Sequence, residues 1–488
     1  MASTHNIKLL DICTVTPSSV SPELSQPLTF FDIYYLKFPP VKGIFFYELA
    51  DSTPSFFNSV ILPRLKRTLS ITLSYFLPLA GNLTWPADAA KPFIFCTPND
   101  GVSLTVAESN ADFDRLASNQ AHDAVESHPY VPHLSTSDAA ASILALQITL
   151  FPSKGFSIGY AINHTVLDGK STVMFLKAWA HICKEYEEEE KSHNHPMLPP
   201  KLTPFIDRAV IQDPEGIDME YIRTWSRIKW AGLDANPRSL KLVSPAGVAG
   251  SAVHATFHLS KEDIKKLRQW IESQTSSVSK EKDMDHQTEP PHLSTFVLAY
   301  AYALVCLVKA RGIESERKIL YGFSADCRTR LVPPVPVNYF GNCVSAFGVF
   351  TEAKALQEDD GFVYAVKSLT PLIERLEKRV LEGAKEMLAK YMSVEPGTTD
   401  IVWVIGYDRL GVYEVDFGWG RPKKVEFTST ESSGISMMES KYEAGGVEIG
   451  VVLKQKEMKI FNSLFINSLE RRQLSGGHRF FLSRSSRM

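Results

Sequence analysis

His164 and Asp168 stand four residues apart in NHTVLDG, at the end of an apolar run and just before Gly169. An imidazole with an ordinary pKa of about 6.5 accepts a proton from an alcohol at neutral pH, which is what acyl transfer to a hydroxyl asks of a base. Gly169 is read as the pivot of a sharp turn that lets Asp168 fold back. The pattern alone says little, because the chain carries 13 histidines and a histidine is more often a satisfied structural residue than a base. Ser157 lies in GFSIG, which matches G-x-S-x-G. A nucleophile elbow needs strand, sharp turn and helix, whereas Gly155 to Asn163 reads as unbroken strand, so serine hydrolysis is set aside. Asp416-Phe417-Gly418 evokes a protein kinase, but neither HRD nor G-x-G-x-x-G accompanies it. His193 and His195 form a weak metal-like pair in a polar stretch, where solvated histidines are expected, and no metal site is expected.

The elements that must position these residues follow from periodicity. Ile143–Phe151 and Phe156–Asn163 read as two strands joined by PSKG, and the second delivers His164. Met174, Phe175, Ala178, Trp179 and Ile182 mark the apolar stripe of a following helix that ends in the acidic run Glu187 to Glu190. Residues 60–79 are helical by the spacing of Leu62, Leu65, Leu69, Leu73, Phe76 and Leu77, with Pro78 closing the helix. Residues 28–48, rich in aromatic and β-branched side chains around Pro39 and Pro40, suggest two extended segments about a turn. Ser260 with Asp263 three residues on is a capping box for a helix bearing Ile264, Leu267, Trp270 and Ile271. Residues 272–291 have almost no apolar content and are expected as a mobile surface loop.

Composition bounds the rest. A chain of 488 residues exceeds one ordinary core, so two or more domains are expected. The polar, proline-rich stretch near 187–204 is the candidate linker. Fifty-two Lys and Arg against 55 Asp and Glu give a net charge of −3, with no electrostatic footprint for nucleic acid or an anionic membrane. Cys13, Cys96, Cys183, Cys306, Cys327 and Cys343 show no CxxC pair and are read as reduced thiols. MASTHNIKLL lacks a basic and an apolar signal region, so the cytosol is expected. The run from Phe296 to Val308 is shorter than the roughly 20 residues a bilayer demands and reads as a buried core helix.

Three motifs give His164 its context: HTVLDG, then YFGNC (Tyr339 to Cys343), then DFGWG (Asp416 to Gly420). HTVLDG followed by DFGWG resembles the BAHD family of plant coenzyme A-dependent acyltransferases, and YFGNC resembles its branch acting on anthocyanins and other phenolic glycosides. The likeness runs from QPLTFFD (Gln26 to Asp32) through LSYFLPLAGNL (Leu73 to Leu83) to GGVEIGVVL (Gly445 to Leu453). It implies an α/β fold of two similar mixed-sheet domains, of the chloramphenicol acetyltransferase type, with an active-site channel at their interface. On that division, 1–190 carries HTVLDG, 191–204 links, and 205–470 carries YFGNC and DFGWG. The resemblance makes His164 the general base, with no acyl-enzyme; a thiol of pKa about 8.5 leaves readily enough that one base suffices. It further implies that Asp168 turns from the substrate to pair with Arg328 in SADCRTR, and that Asp416, Gly418, Trp419 and Gly420 form a supporting loop.

LDGKSTVMFLKAWAHICK (Leu167 to Lys184) looks like malonyl-using relatives, so malonyl-CoA is the expected cosubstrate, with hydroxycinnamoyl-CoA the alternative. The acceptor expected is a phenolic glycoside and the protein a monomer, while no particular residue is assigned to the coenzyme. A non-catalytic binding protein of the same fold is the reading from another class, and the intact histidine argues against it. After FNSLF (Phe461 to Phe465) the chain departs from the family pattern: INSLERRQLSGGHRFFLSRSSRM continues with five arginines and no acid after Glu470. Residues 471–488 are expected as a disordered tail.

Overall fold

The computed structural model describes residues 7–19, 23–190, 197–228, 236–242, 252–279, 293–394, 397–406, 409–429 and 434–474. Leu144–Phe151 and Gly155–Ile162 are buried along their whole length. Such unbroken apolar runs belong in the middle of a sheet covered on both faces. They pair antiparallel through a tight connection in which Ser153 takes a left-handed φ of 61°. A Cβ added at Gly155, whose φ is 150°, would sit 1.9 Å from the Tyr47 carbonyl oxygen, so only glycine allows the return strand to start there.

Around this hairpin lies a mixed six-stranded sheet, ordered Ile7–Val15, Val102–Ser109, Leu144–Phe151, Gly155–Ile162, Val41–Glu48 and Lys424–Glu426. A seven-stranded mixed sheet runs Val344–Glu352, Lys318–Asp326, Thr399–Ile405, Gly434–Glu439, Val447–Lys454, Ala252–Leu259 and His122–Asp123. Each sheet thus ends on a strand from the other part of the chain. A four-stranded antiparallel sheet of Leu24–Pro27, Phe93–Cys96, Asn82–Thr84 and Ala140–Ser142 completes the set.

The helix Gly169–Glu190 buries Phe175, Ala178, Trp179 and Ile182 against the helix Leu62–Tyr75. Trp179 Nε1 donates to the Leu65 carbonyl and lies 3.2 Å from the Thr68 hydroxyl, so the indole's one donor is satisfied inside the contact. Thr295–Arg311 is buried almost all round, capped by Ser294 and ended by Gly312 in the left-handed region at φ 58°. Among the described residues no helix is long and apolar enough to cross a membrane. All six cysteines are free thiols.

Several expectations need correction. Residues 28–48 are not two extended segments: Phe30–Tyr34 is a short helix, because Thr29 and Asp32 cap it reciprocally, and only Val41–Glu48 is a strand. The helix expected over 60–79 stops at Tyr75, and Pro78 lies in a separate 3₁₀ turn, Leu77–Ala80. The capping box at Ser260 forms, but its helix runs from Lys261 to Ser279 rather than yielding to a loop at 272. Once a packed face has nucleated a helix, each further polar residue adds a hydrogen bond at little cost. Residues 280–291, the remainder of that loop, lie outside the described residues, as do His193 and His195. The helix after His164 does end in the acidic run, at Glu190, and 191–196 of the expected linker lie outside the described residues. The terminal helix Gln455–Leu474 carries the chain past residue 470, and 475–488 of the expected tail lie outside the described residues.

Candidate active site

The strand Gly155–Ile162 ends one residue before Asn163, and a turn held by Val166 N donating to the Asn163 carbonyl at 3.0 Å carries His164 at its crest. Thr165 Oγ1 donates to the Tyr35 carbonyl at 3.2 Å. The phenol ring of Tyr35 lies flat on the imidazole, centroids 3.8 Å apart and planes 6° from parallel. His164 itself is half-buried, although its Nδ1 atom is buried and has no hydrogen-bond partner in the described structure. Burial is the largest influence on its pKa and holds it below the ordinary imidazole value. The carbonyls of His164 and Leu167, the Asp168 carboxylate and the Asn342 side chain act the other way without overcoming it. The ring is therefore a neutral base at pH 7.

Asp168 does not fold back onto His164. Its Oδ1 accepts from Ser171 N at 2.9 Å, making it the N-cap of the helix Gly169–Glu190. Gly169 opens that helix without a left-handed φ, so the sharp glycine turn expected there is absent: an N-cap does the reversal instead. The carboxylate's other commitments are the Cys343 amide, 3.0 Å from Oδ2, and Arg328 Nη2, 2.9 Å from Oδ2. Arg328 is fully buried. It donates to the Tyr339 and Gly341 carbonyls, the Ser171 hydroxyl and Asp326, so all three guanidinium nitrogens are engaged. Burial works against its charge, but Asp168 and Asp326 outweigh that and hold it more firmly protonated than usual.

A second buried ion pair, Asp32 with Arg208, flanks the same turn. Arg208 Nη2 donates to the Val166 carbonyl at 3.1 Å. Asp32 Oδ1 accepts from Asn342 Nδ2 at 3.0 Å, and that same amide nitrogen donates to the His164 carbonyl at 2.9 Å. Asn342 Oδ1, like His164 Nδ1, is buried without a partner in the described structure. HTVLDG, YFGNC, SADCRTR and QPLTFFD are thus drawn together at one place although up to 310 residues separate Asp32 from Asn342. Tyr35, Arg208 and Asn342 received no role from the sequence. Asn342 sits in a quoted motif and Asp32 completes a T-x-x-D capping pattern, but Arg208 has no local signal.

DFGWG lies elsewhere. Asp416 Oδ1 accepts from Gly418 N and Gly420 N at 2.9 and 3.0 Å, and both glycines take φ of 100°. Asp416 Oδ2 pairs with Lys184 at 2.9 Å, on the helix that follows His164. Burial tends to raise the Asp416 pKa, but Lys184 and the two glycine amides prevail and lower it. Phe417 packs edge-on against Trp179 at 4.8 Å, and Trp419 stands perpendicular to Phe156, with Arg64 over its ring at 4.9 Å. These contacts brace the underside of the hairpin and helix that carry His164, rather than His164 itself. Ser157 is wholly buried in mid-strand, with no elbow around it.

A cavity of about 190 Å³ is lined by Tyr34, Phe350, Arg375, Glu386, Tyr391 and Trp403 among others, and reaches His164 only through Tyr35, whose ring lies 4.8 Å from that of Tyr34. Tyr34 is the chain neighbour of Tyr35, and Trp403 Nε1 donates to Ser324 Oγ at 3.3 Å.

Comparison with known proteins adds a frame. A family model described as "Transferase family" matches residues 6–467. Phenolic glucoside malonyltransferase 1 of Arabidopsis thaliana is 42% identical over 473 residues, spanning 95% of this chain and 98% of that protein. Malonyl-CoA:anthocyanidin 5-O-glucoside-6''-O-malonyltransferase of the same plant is 40% identical over 474 residues, covering 95% and 98%. Among solved structures, vinorine synthase superposes with a TM-score of 0.66 at 20% identity over 95% of this chain and 98% of that one, a likeness of fold alone.

Proposed function

The chain belongs to the BAHD family of coenzyme A-dependent acyltransferases, and on that premise we propose its reaction and the residues that carry it. The acyl group is malonyl, donated by malonyl-CoA to a sugar hydroxyl of an anthocyanin, flavonoid or other phenolic glucoside. His164 is the general base. Its imidazole takes the hydroxyl proton as the oxygen attacks the thioester carbonyl; the tetrahedral adduct collapses, the C–S bond breaks, and the coenzyme A sulfur recovers the proton from the imidazolium. A thiol of pKa about 8.5 leaves far more easily than an alkoxide, so no second base is required.

The observation that carries this reading is a half-exposed, neutral imidazole whose backbone is pinned by two buried ion pairs. Asp168 and Arg328 position the turn and touch no substrate. Asn342 is a further positioning residue: its Oδ1 is the acceptor available for a hydrogen bond from Nδ1–H, which leaves Nε2 as the basic nitrogen when the site tightens around substrate. Asp416, Gly418, Trp419 and Gly420 support the elements beneath. The cavity walled by Tyr34, Phe350, Tyr391 and Trp403 suits a phenolic ring, since flat aromatic walls stack on it. Parts 1–190 and 205–470, joined at 191–204, each supply half of the clamp, so a single chain holds a complete site and a monomer suffices. Both substrates are water-soluble, which fits work in the cytosol.

The test is free-thiol release from malonyl-CoA with a panel of phenolic glucosides, beside coumaroyl-CoA. Acceptor-dependent release with malonyl-CoA supports the proposal. Preference for coumaroyl-CoA overturns the donor assignment, release without acceptor points to thioester hydrolysis, and silence from folded protein favours a binding role.

A further inference from the structure

His122, His254 and Glu426 meet in the interior where the two large sheets exchange strands, each no more than 4% exposed. His122 belongs to the strand that the first part of the chain adds to the seven-stranded sheet, and it is the register partner of His254. Glu426 belongs to the strand that the second part adds to the six-stranded sheet, against Val41–Glu48. The cluster therefore joins three segments far apart in sequence, and no spacing motif announces it.

We propose that these three side chains form a tetrahedral zinc(II) site that staples the two parts of the chain together. Glu426 Oε2 lies 3.4 Å from His122 Nε2 and 3.4 Å from His254 Nδ1. A hydrogen bond between imidazolium and carboxylate closes to about 2.7–2.9 Å. Two ligands held at about 2.0–2.1 Å by one tetrahedral zinc ion are about 3.3–3.4 Å apart, the spacing seen from Glu426 to each histidine, and all three ligand atoms lie within 4.8 Å of one another. Glu426 Oε2 is buried and faces both imidazoles at 3.4 Å, longer than a charge-assisted hydrogen bond, so its lone pairs point where an ion would sit.

The outer shell fits as well. His122 Nδ1 lies 3.2 Å from the Gln120 carbonyl, an arrangement that places the proton on Nδ1 and leaves Nε2 as the ligating lone pair. Ser127 Oγ, 3.4 Å from His122 Nε2, or a water completes the fourth position. Lys424, two residues from Glu426 on the same strand, directs its ammonium to Asn119 Oδ1 at 2.7 Å and Thr256 Oγ1 at 2.6 Å instead of to Glu426. His2Glu is a donor set that zinc takes, and two nitrogens with one carboxylate oxygen discriminate against magnesium and calcium, which want oxygen alone.

The experiment uses the full chain, stripped with chelator, reloaded with zinc or cobalt(II), and passed through gel filtration. The expected result is about one metal per chain, a visible cobalt spectrum of tetrahedral type, and a thermal midpoint that rises with zinc. His122→Gln and Glu426→Gln weaken metal binding on the order of tenfold or more, whereas His258→Gln, whose ring bonds Ser440 at 2.8 Å outside the cluster, leaves it unchanged. Folded wild-type protein that retains less than about a tenth of an equivalent of zinc and shows no tetrahedral cobalt bands overturns the proposal, whether or not the variants fold. Zinc held as tightly by His122→Gln as by wild type overturns it too.

Discussion

The imidazole of His164 and the phenol of Tyr35 are stacked at 3.8 Å, nearly parallel, with the Tyr35 carbonyl also holding the neighbouring Thr165 hydroxyl. One residue thus fixes both the plane of the base and the turn it stands on. Tyr35→Phe keeps the stack and is expected to leave the turnover rate within a few-fold of wild type. Tyr35→Ala frees the ring, and a lost aromatic contact of about 0.5–1.5 kcal/mol translates into a several- to tenfold lower kcat at unchanged fold. Steady-state kinetics with circular dichroism checks both.

The buried pair Asp168–Arg328 predicts a stability result as much as a kinetic one. Asp168→Ala leaves a fully buried guanidinium with one carboxylate fewer, at a cost of about 3–5 kcal/mol, and uncaps the helix Gly169–Glu190. Arg328→Met in the Asp168→Ala background restores part of that loss, because the buried charge left with Asp326 as its one carboxylate is gone. Denaturant unfolding of the two singles and the double measures this; an additive double would refute the coupling.

The pH dependence follows from burial of His164. The neutral ring is the active form, so activity is lost as pH falls through the folded pKa, and that pKa lies below the ordinary imidazole value. At pH of about 6.5, where a free imidazole is half protonated, the enzyme retains more than half its plateau kcat/KM. Asn342→Ala removes an influence that raises the His164 pKa and moves the acid limb further down, with a lower plateau.

Asp416→Ala releases Lys184 and the Gly418 and Gly420 amides. The loop braces the hairpin from beneath, so the unfolding midpoint falls while the acid limb of the pH profile stays in place. Movement of that limb would tie DFGWG to the base directly.

Local patterns in the sequence revealed most elements but few of their meetings. The hairpin that carries His164, the core helix Thr295–Arg311 and the Ser260 capping box were legible because hydrophobic period and caps act within a few residues. The Phe30–Tyr34 helix was masked by β-prone aromatic residues, and a single capping pair decided it. Motif resemblance brought out the pairing of Asp168 with Arg328, whereas Arg208, with no periodic or motif signal, enters the site only through folding. The exchange of edge strands, and with it the cluster of His122, His254 and Glu426, is a property of topology that no window of sequence contains.

The most direct test of the account compares thiol release from malonyl-CoA with a phenolic glucoside acceptor in wild type and in His164→Ala, the two matched by circular dichroism. General-base catalysis is worth about 10²–10⁴ in rate, so the variant is predicted to fall at least about a hundredfold. A folded variant that stays within about tenfold of wild type would contradict His164 as the base.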